Sequence, residues 1–282
     1  MIKTVLQTIT DGAAYLEKRG VENGRLNMEH LLAQVLQCKR MQLYLWFDRP
    51  LAEHELEPLR NLTVRRGKRE PLQHLLGTVE FHGREFLCDA RALIPRPETE
   101  ELVERMLAMR PDASAPPHSL LDMGTGSGVI GLSLGLAWPG AVLTLADVSP
   151  LALELARENA LRCGREATLV ETDLWAGFTG QKFDVVAANL PYIASAELPT
   201  LEAEVQRDPA LALDGGVRGL ELMERFIDGL AAHLSPCGLV GMEIGPGQGA
   251  ALRGALERTG MGKVQVVNDY AGRERFVFAE SI

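Results

Sequence analysis

Ser119-Leu120-Leu121-Asp122-Met123-Gly124-Thr125-Gly126-Ser127-Gly128-Val129-Ile130-Gly131 is the stretch on which the fold turns: a short apolar run meets three glycines at alternate positions and continues at helical spacing. Glycine lacks a Cβ, so it accepts positive φ and lets a ligand approach the main chain, while the following helix offers unpaired N–H groups at its start. Gly124, Thr125, Gly126, Ser127 and Gly128 therefore read as a strand-turn-helix cradle. In this G-x-G-x-G spacing the third glycine comes one residue too early for the G-x-G-x-x-G dinucleotide fingerprint. The shift points away from NAD and towards S-adenosylmethionine.

The segments that follow alternate strand and helix. Strands are expected at 120–123, 141–146, 167–171, 183–188, 239–244, 263–268 and 275–279, and helices at 129–137, 151–163, 219–234 and 247–259. This is an α/β, Rossmann-like, doubly wound pattern of seven strands, whose ligands lie beyond the carboxyl ends of the strands. Asp147 ends the second strand, 19 residues after Gly128, where a carboxylate can accept from both hydroxyls of a ribose; the competing reading is a cap for the next helix. Asp173, Leu174 and Trp175 follow the third strand, placing a carboxylate for an adenine amino group and an indole to cover its face. A core aromatic is the other reading of Trp175.

Upstream the pattern is helical. Val5, Leu6, Ile9, Ala13 and Leu16 recur at helical intervals before Gly20; a second helix is expected from Asn27 as N-cap, burying Leu31, Leu32, Val35 and Leu36; a third covers 53–69 with Leu56, Leu59 and Leu62 inward. Its basic end, with Arg60, Arg65, Arg66, Lys68 and Arg69, reads either as a solvated face or as a docking patch for an acidic partner. Residues 79–87 alternate around His82-Gly83 as a hairpin, a helix is expected from the Pro97-Glu98-Thr99-Glu100-Glu101 stretch to Met109, and the proline-bearing 110–118 reads as a linker loop. The domain plan is a small all-helical domain (1–75), a β-hairpin linker (76–95) and an α/β domain (96–282).

Composition narrows the partners. The 282 residues carry 29 basic and 38 acidic side chains, net -9, which argues against holding nucleic acid by phosphate neutralisation. Residues 1–95 have 14 basic against 12 acidic side chains, net +2, and the remainder 15 against 26, net -11, consistent with two modules. Cys38, Cys88, Cys163 and Cys237 form no C-x-x-C pair, so no metal site or disulfide framework is expected, only reduced and mostly buried thiols. With no basic leader and no long apolar run, a cytoplasmic chain with no membrane or stable nucleic-acid partner, acting as a monomer, is expected.

The acceptor chemistry is written in Val185-Val186-Ala187-Ala188-Asn189-Leu190-Pro191-Tyr192-Ile193. A buried strand ends in an amide, a proline and an aromatic ring, a receptor for a planar NH2 group. The Asn189 side-chain oxygen and the Leu190 carbonyl can accept its two hydrogens, and Tyr192 can stack on its plane. Asn189, Leu190, Pro191 and Tyr192 are thus the candidate catalytic and substrate-binding residues.

Leu93-Ile94-Pro95-Arg96-Pro97-Glu98-Thr99-Glu100, Asp122 to Gly128, Asn189 to Tyr192, Ala212-Leu213-Asp214-Gly215-Gly216 with Gly219-Leu220, and Glu243-Ile244-Gly245 resemble the HemK/PrmC glutamine methyltransferases that modify peptide chain release factors. Glu70-Pro71-Leu72-Gln73 to Gly77 extends the resemblance into the helical domain, and the resemblance implies substrate recognition by 1–75 and an S-adenosylmethionine-dependent methyltransferase domain at 96–282. It implies transfer of a methyl group from S-adenosylmethionine to the side-chain amide nitrogen of the Gln in a Gly-Gly-Gln loop. It places the cofactor on Gly124 to Gly128, Asp147, Trp175 and Asn189. The family signature is N-P-P-Y, and Leu190 stands at its second position here; the recognising carbonyl survives, while the restraint on Asn189 is expected to weaken and activity to fall modestly. Asp208-Pro209 replaces the family's Glu-Pro. Other readings are an adenine N6-methyltransferase of nucleic acid, which needs the same receptor after base flipping, a ribosomal-protein glutamine methyltransferase, and a cofactor-binding protein without catalysis.

Overall fold

The computed structural model describes residues 3–110 and 116–282, so most of the expected 110–118 linker lies outside the described residues. The described chain divides into two compact units, residues 1–78 with 202–207 and residues 79–201 with 208–282.

The smaller unit is helical. α1 (Val5–Glu17) starts at a capping box in which Thr4 and Gln7 satisfy each other's backbone N–H groups. α2 (Gly24–Val35) begins a turn earlier than expected, and Asn27 is not its cap. Asn27 is instead buried, donating to the Glu22 and Asn23 carbonyls and accepting from Arg66 Nε at 2.7 Å. A 3-10 turn (Arg40–Trp46), α3 (Glu53–Gly67) and the short α4 (Leu72–Leu76) complete the unit around Val5, Ile9, Leu16, Leu31, Leu32, Leu43 and Leu59. Leu6, expected inward, lies on the exposed side of α1.

The basic end of α3 is neutralised from within. Arg60 pairs with Glu53, Arg65 with Glu70, and both Arg66 and Arg69 with Glu204. Arg66 is only 6% exposed, so its charge is compensated by Glu204 and Asn27 rather than by water. Glu204 explains why residues 202–207 belong to this unit, which local periodicity does not predict.

The larger unit opens with the hairpin β1 (Thr78–Phe81) and β2 (Arg84–Leu87), followed by α5 (Pro97–Met109). Then come β3 (Ser119–Met123), α6 (Val129–Ala137), β4 (Val142–Asp147), α7 (Pro150–Cys163), β5 (Thr168–Glu171), β6 (Phe183–Ala188), α8 (Glu221–His233), β7 (Leu234–Glu243), α9 (Gly249–Arg258), β8 (Met261–Asn268) and β9 (Glu274–Ser281). The sheet has seven strands in the order β5-β4-β3-β6-β7-β9-β8; the first five are parallel, and β9 runs antiparallel to both its neighbours. Apolar β3 and β6 are buried on both faces, as central parallel strands must be. Strand order reverses between them, with Met123 in register with Ala188, so the crevice beyond their ends opens between Gly124 and Asn189.

Two expectations change here. The hairpin does more than link: the buried Asn159 on α7 accepts from Leu87 N–H at 2.7 Å and donates to the carbonyls of Leu87 and Ser127, fastening β2 to the glycine turn. Of the four free cysteines only Cys88 is buried; Cys38 and Cys163 are half-buried and Cys237 is exposed in an irregular part of β7. Among the described residues no helix is long and apolar enough to cross a membrane.

Candidate active site

A cavity of about 470 Å³ opens beyond the ends of β3, β4 and β6. Its walls include Gly124, Thr125, Gly126, Ser127, Asp147, Asp173, Leu174, Asn189, Leu190 and Pro191, bringing together ten of the predicted residues. Gly128, Trp175 and Tyr192 are not in the wall.

The glycine turn is set by hydrogen bonds that its sequence anticipates only in part. Gly124 and Thr125 N–H groups both donate to the Ala146 carbonyl, and Gly126 N–H donates to Asp147 Oδ2 at 2.9 Å. Gly124 needs its missing Cβ twice over: φ is +70°, and a Cβ would lie 2.7 Å from Leu190 Cδ2. Gly128 packs closely at the start of α6. It caps α6 at φ +86°, where a Cβ would lie 3.1 Å from Leu132 Cδ1 and 3.3 Å from Ala156 Cβ.

Beneath the turn sits Asp122, fully buried. Its Oδ2 accepts from Thr125 Oγ1 at 2.6 Å and Gly131 N–H at 2.8 Å, whereas Oδ1 has no hydrogen-bond partner among the described residues. Burial pushes its pKa up to about 6 from 3.8, against the pull of those two donors. The folded state therefore binds the Asp122 proton more tightly than the unfolded chain, and stability is lost as pH rises from about 4 through about 6. Asp122→Asn removes this titration. The stability gap between wild type and variant should move against the wild type by roughly 3 kcal/mol over that interval, about two pKa units at ~1.4 kcal/mol each. Urea unfolding of both proteins at pH 4 and pH 7 measures it; a gap independent of pH refutes the assignment.

Asp147 accepts from Gly126 and Ser149 N–H groups, one on each oxygen, and each oxygen retains capacity for a ribose hydroxyl. Burial raises its pKa against those same donors. Asp173 lines the cavity but is ion-paired with Arg225 at 2.8 Å; both side chains are exposed, so the pair is weak enough to yield to a ligand. Of the two readings of Trp175, its contacts are those of the core aromatic: the indole N–H donates to the Phe226 carbonyl at 2.7 Å and the ring stacks on Phe226 and His233 of α8.

The Asn189 to Tyr192 loop is held from behind by Glu243, a residue given no role of its own by the sequence. Glu243, 2% exposed at the end of β7, accepts from Asn189 Nδ2 at 3.0 Å and Thr99 Oγ1 at 2.7 Å on Oε2, and from the Tyr192 hydroxyl at 3.2 Å on Oε1. Burial raises its pKa, while the Thr99 hydroxyl, Arg275 and the Tyr192 hydroxyl pull the other way. A carboxylate only accepts, so it fixes which end of the Asn189 amide is which: Nδ2 faces Glu243 and Thr99, and Oδ1 has no hydrogen bond among the described residues, in a side chain that lines the cavity. The Tyr192 hydroxyl donates to Glu243 Oε1 and accepts from Arg275 Nη1 at 3.4 Å, which braces the carboxylate.

The loop itself is braced by backbone pairing. Ile193 N–H donates to Leu213 O and Gly215 N–H to Ile193 O, and Gln248 Nε2 holds the Tyr192 and Gly219 carbonyls. Leu190, 3% exposed, packs against Gly124 in the core, which holds its own side chain in place.

Comparison with known proteins agrees with this architecture. Residues 7–77 match the PrmC N-terminal domain family and residues 100–207 the methyltransferase small domain family. The chain is 40% identical over 277 residues, 98% of it and 96% of the relative, to a release factor glutamine methyltransferase of Geobacter sulfurreducens. It is 38% identical to that of Moorella thermoacetica over 98% of both chains. Among solved structures, a T. thermophilus 16S rRNA N2 G1207 methyltransferase in complex with AdoMet and guanosine aligns with TM-score 0.53 and 20% identity, covering 73% of this chain and 50% of that one, a likeness of fold alone. With near full-length identity at this level and both domains matched, the chain belongs to the release factor glutamine methyltransferase family.

Proposed function

We propose that this chain transfers a methyl group from S-adenosylmethionine to the side-chain amide nitrogen of the Gln in the Gly-Gly-Gln loop of peptide chain release factors, acting in the cytoplasm in translation termination. The observation that carries the reading is the Asn189 amide, whose Nδ2 is held by Glu243 and Thr99, on a residue that lines the same cavity as the glycine turn.

The residues present fit the methyl donor. Gly124 to Ser127 provide a backbone turn in the cavity wall, with Gly124 and Gly126 at positive φ, and Asp147 and Asp173 provide carboxylates in the same wall. When bound, S-adenosylmethionine supplies an electrophilic methyl group; the remaining requirements fall on the chain. A carboxamide nitrogen is a poor nucleophile because its lone pair is delocalised. Asn189 Oδ1 and the Leu190 carbonyl accept its two hydrogens, which returns electron density to nitrogen and fixes its position. Thr99, Tyr192 and Glu243 hold Asn189 in the receiving orientation, so no reorganisation is required at the moment of reaction.

The test is to incubate the protein with methyl-labelled S-adenosylmethionine and, separately, release factor, ribosomal proteins and DNA, and to map the label. Label on the release-factor Gln is the expected result. Label confined to DNA or to a ribosomal protein rejects the proposal.

A further inference from the structure

Two segments far apart in sequence form one side of the cavity: Leu93, Pro95 and Arg96 before α5, and Pro209, Leu211 and Ala212 after β6. A single carboxylate joins them. Asp208, whose side chain is fully buried, accepts from Ile94 N–H at 3.4 Å on Oδ1 and from the Arg96 guanidinium at 2.9 Å on Oδ2. Arg96 caps α5, and three residues later Thr99 donates to Glu243 and receives from Asn189. The chain of contacts thus runs from Asp208 through Arg96 and the first turn of α5 to the amide that receives the acceptor. The cofactor half of the cavity is fixed by other groups: Gly124 and Thr125 on Ala146 O, Gly126 on Asp147, and Ser127 on Asn159.

We propose that Asp208 is a positioning residue for the methyl acceptor, clasping the 93–96 segment to the 209–212 segment so that Thr99 and Asn189 keep their mutual orientation. The inference rests on the glutamine methyltransferase reading. It separates two functions of one cavity: a clasp on the acceptor side sets kcat and the KM for the protein substrate, and leaves affinity for the methyl donor to the glycine turn and Asp147. The pair is charge-assisted and shielded at the Asp208 end, where such hydrogen bonds exceed neutral ones in strength.

The test compares wild type, Asp208→Asn, Asp208→Glu, Arg96→Met and the double variant Asp208→Asn with Arg96→Met, using release factor as substrate and calorimetry with S-adenosylhomocysteine. Asp208→Asn should lower kcat/KM for the release factor about 10-fold or more, while the Kd for S-adenosylhomocysteine stays within about twofold. Asp208→Glu, which keeps the charge, should recover most of the loss, and the double variant should be no worse than the poorer single one. The proposal is overturned if Asp208→Asn keeps wild-type kcat/KM. It is equally overturned if nucleoside affinity falls in step with turnover, without rescue by glutamate, because the residue would then support the fold as a whole. Unlabelled release factor with the wild-type enzyme rejects the methyltransferase reading and this inference together, whereas a labelled substrate with an unaffected Asp208→Asn rejects the inference alone.

Discussion

Asn189→Ala is expected to lower methyl transfer to a release factor about 10³-fold, the order seen when a single preorganised polar contact to a reacting group is removed, while changing cofactor affinity by no more than about threefold. The asymmetry follows from the geometry. Asn189 is one of several groups in the cavity wall, so the glycine turn and Asp147, which are proposed to hold the cofactor, still line the cavity without it. It is, however, the only side chain in the Asn189 to Tyr192 loop whose amide is pinned at one end by Glu243 and Thr99. Glu243→Gln gives a milder version of the same defect, about 10²-fold, because the new amide can turn its NH2 towards Asn189 and force the Asn189 amide to flip, presenting a donor to a group that needs an acceptor. Transfer assays paired with calorimetry read both. Wild-type turnover by Asn189→Ala removes the receptor role, and a loss in affinity as large as the loss in rate relocates the residue to cofactor binding.

The parts of this site that were readable in sequence are those fixed by contacts between near neighbours in the chain. Gly124 to Ser127 and Asp147 stand at strand ends, where a few adjacent residues determine the turn, and Asn189 to Pro191 close a strand in the same way. What was not readable depends on pairings across the fold. Glu243 and Thr99 meet Asn189 from two other elements, Asn159 reaches back to Leu87, and Glu204 carries its segment to Arg66 and Arg69. An acidic residue closing an apolar strand, as Glu243 closes β7, was the available signal, since a carboxylate at a sheet's carboxyl end is costly to bury unless it is used. Trp175 and Gly128 show the converse. Local pattern set them at the cavity, and their neighbours Leu174 and Ser127 do line it, but Trp175 stacks on Phe226 and Gly128 packs close to Ala156.

Gly124→Ala is expected to destabilise the protein by roughly 2–5 kcal/mol and to weaken cofactor binding at least about 10-fold. Two costs add. An alanine at φ +70° pays about 1–2 kcal/mol for the left-handed backbone, and its Cβ, built 2.7 Å from Leu190 Cδ2, forces a buried side chain out of place for about 1–3 kcal/mol more. The terminal methyl of a leucine can turn aside when there is space, but Leu190 is 3% exposed and packed in the core beside Gly124, so the strain passes to the loop that carries Asn189. Leu190→Ala separates the two costs. On the wild-type background it removes buried methyl groups and should cost about 2–5 kcal/mol; on the Gly124→Ala background it also relieves the clash, so its cost should shrink by roughly the 1–3 kcal/mol assigned to that clash. Denaturant unfolding of the four proteins closes the cycle. Additive costs would mean that Leu190 does not press on Gly124 and that the backbone conformation alone requires glycine there; a coupling of the predicted size makes the leucine at the signature's second position a packing partner of the glycine turn, joining the donor and acceptor halves of the site through one contact.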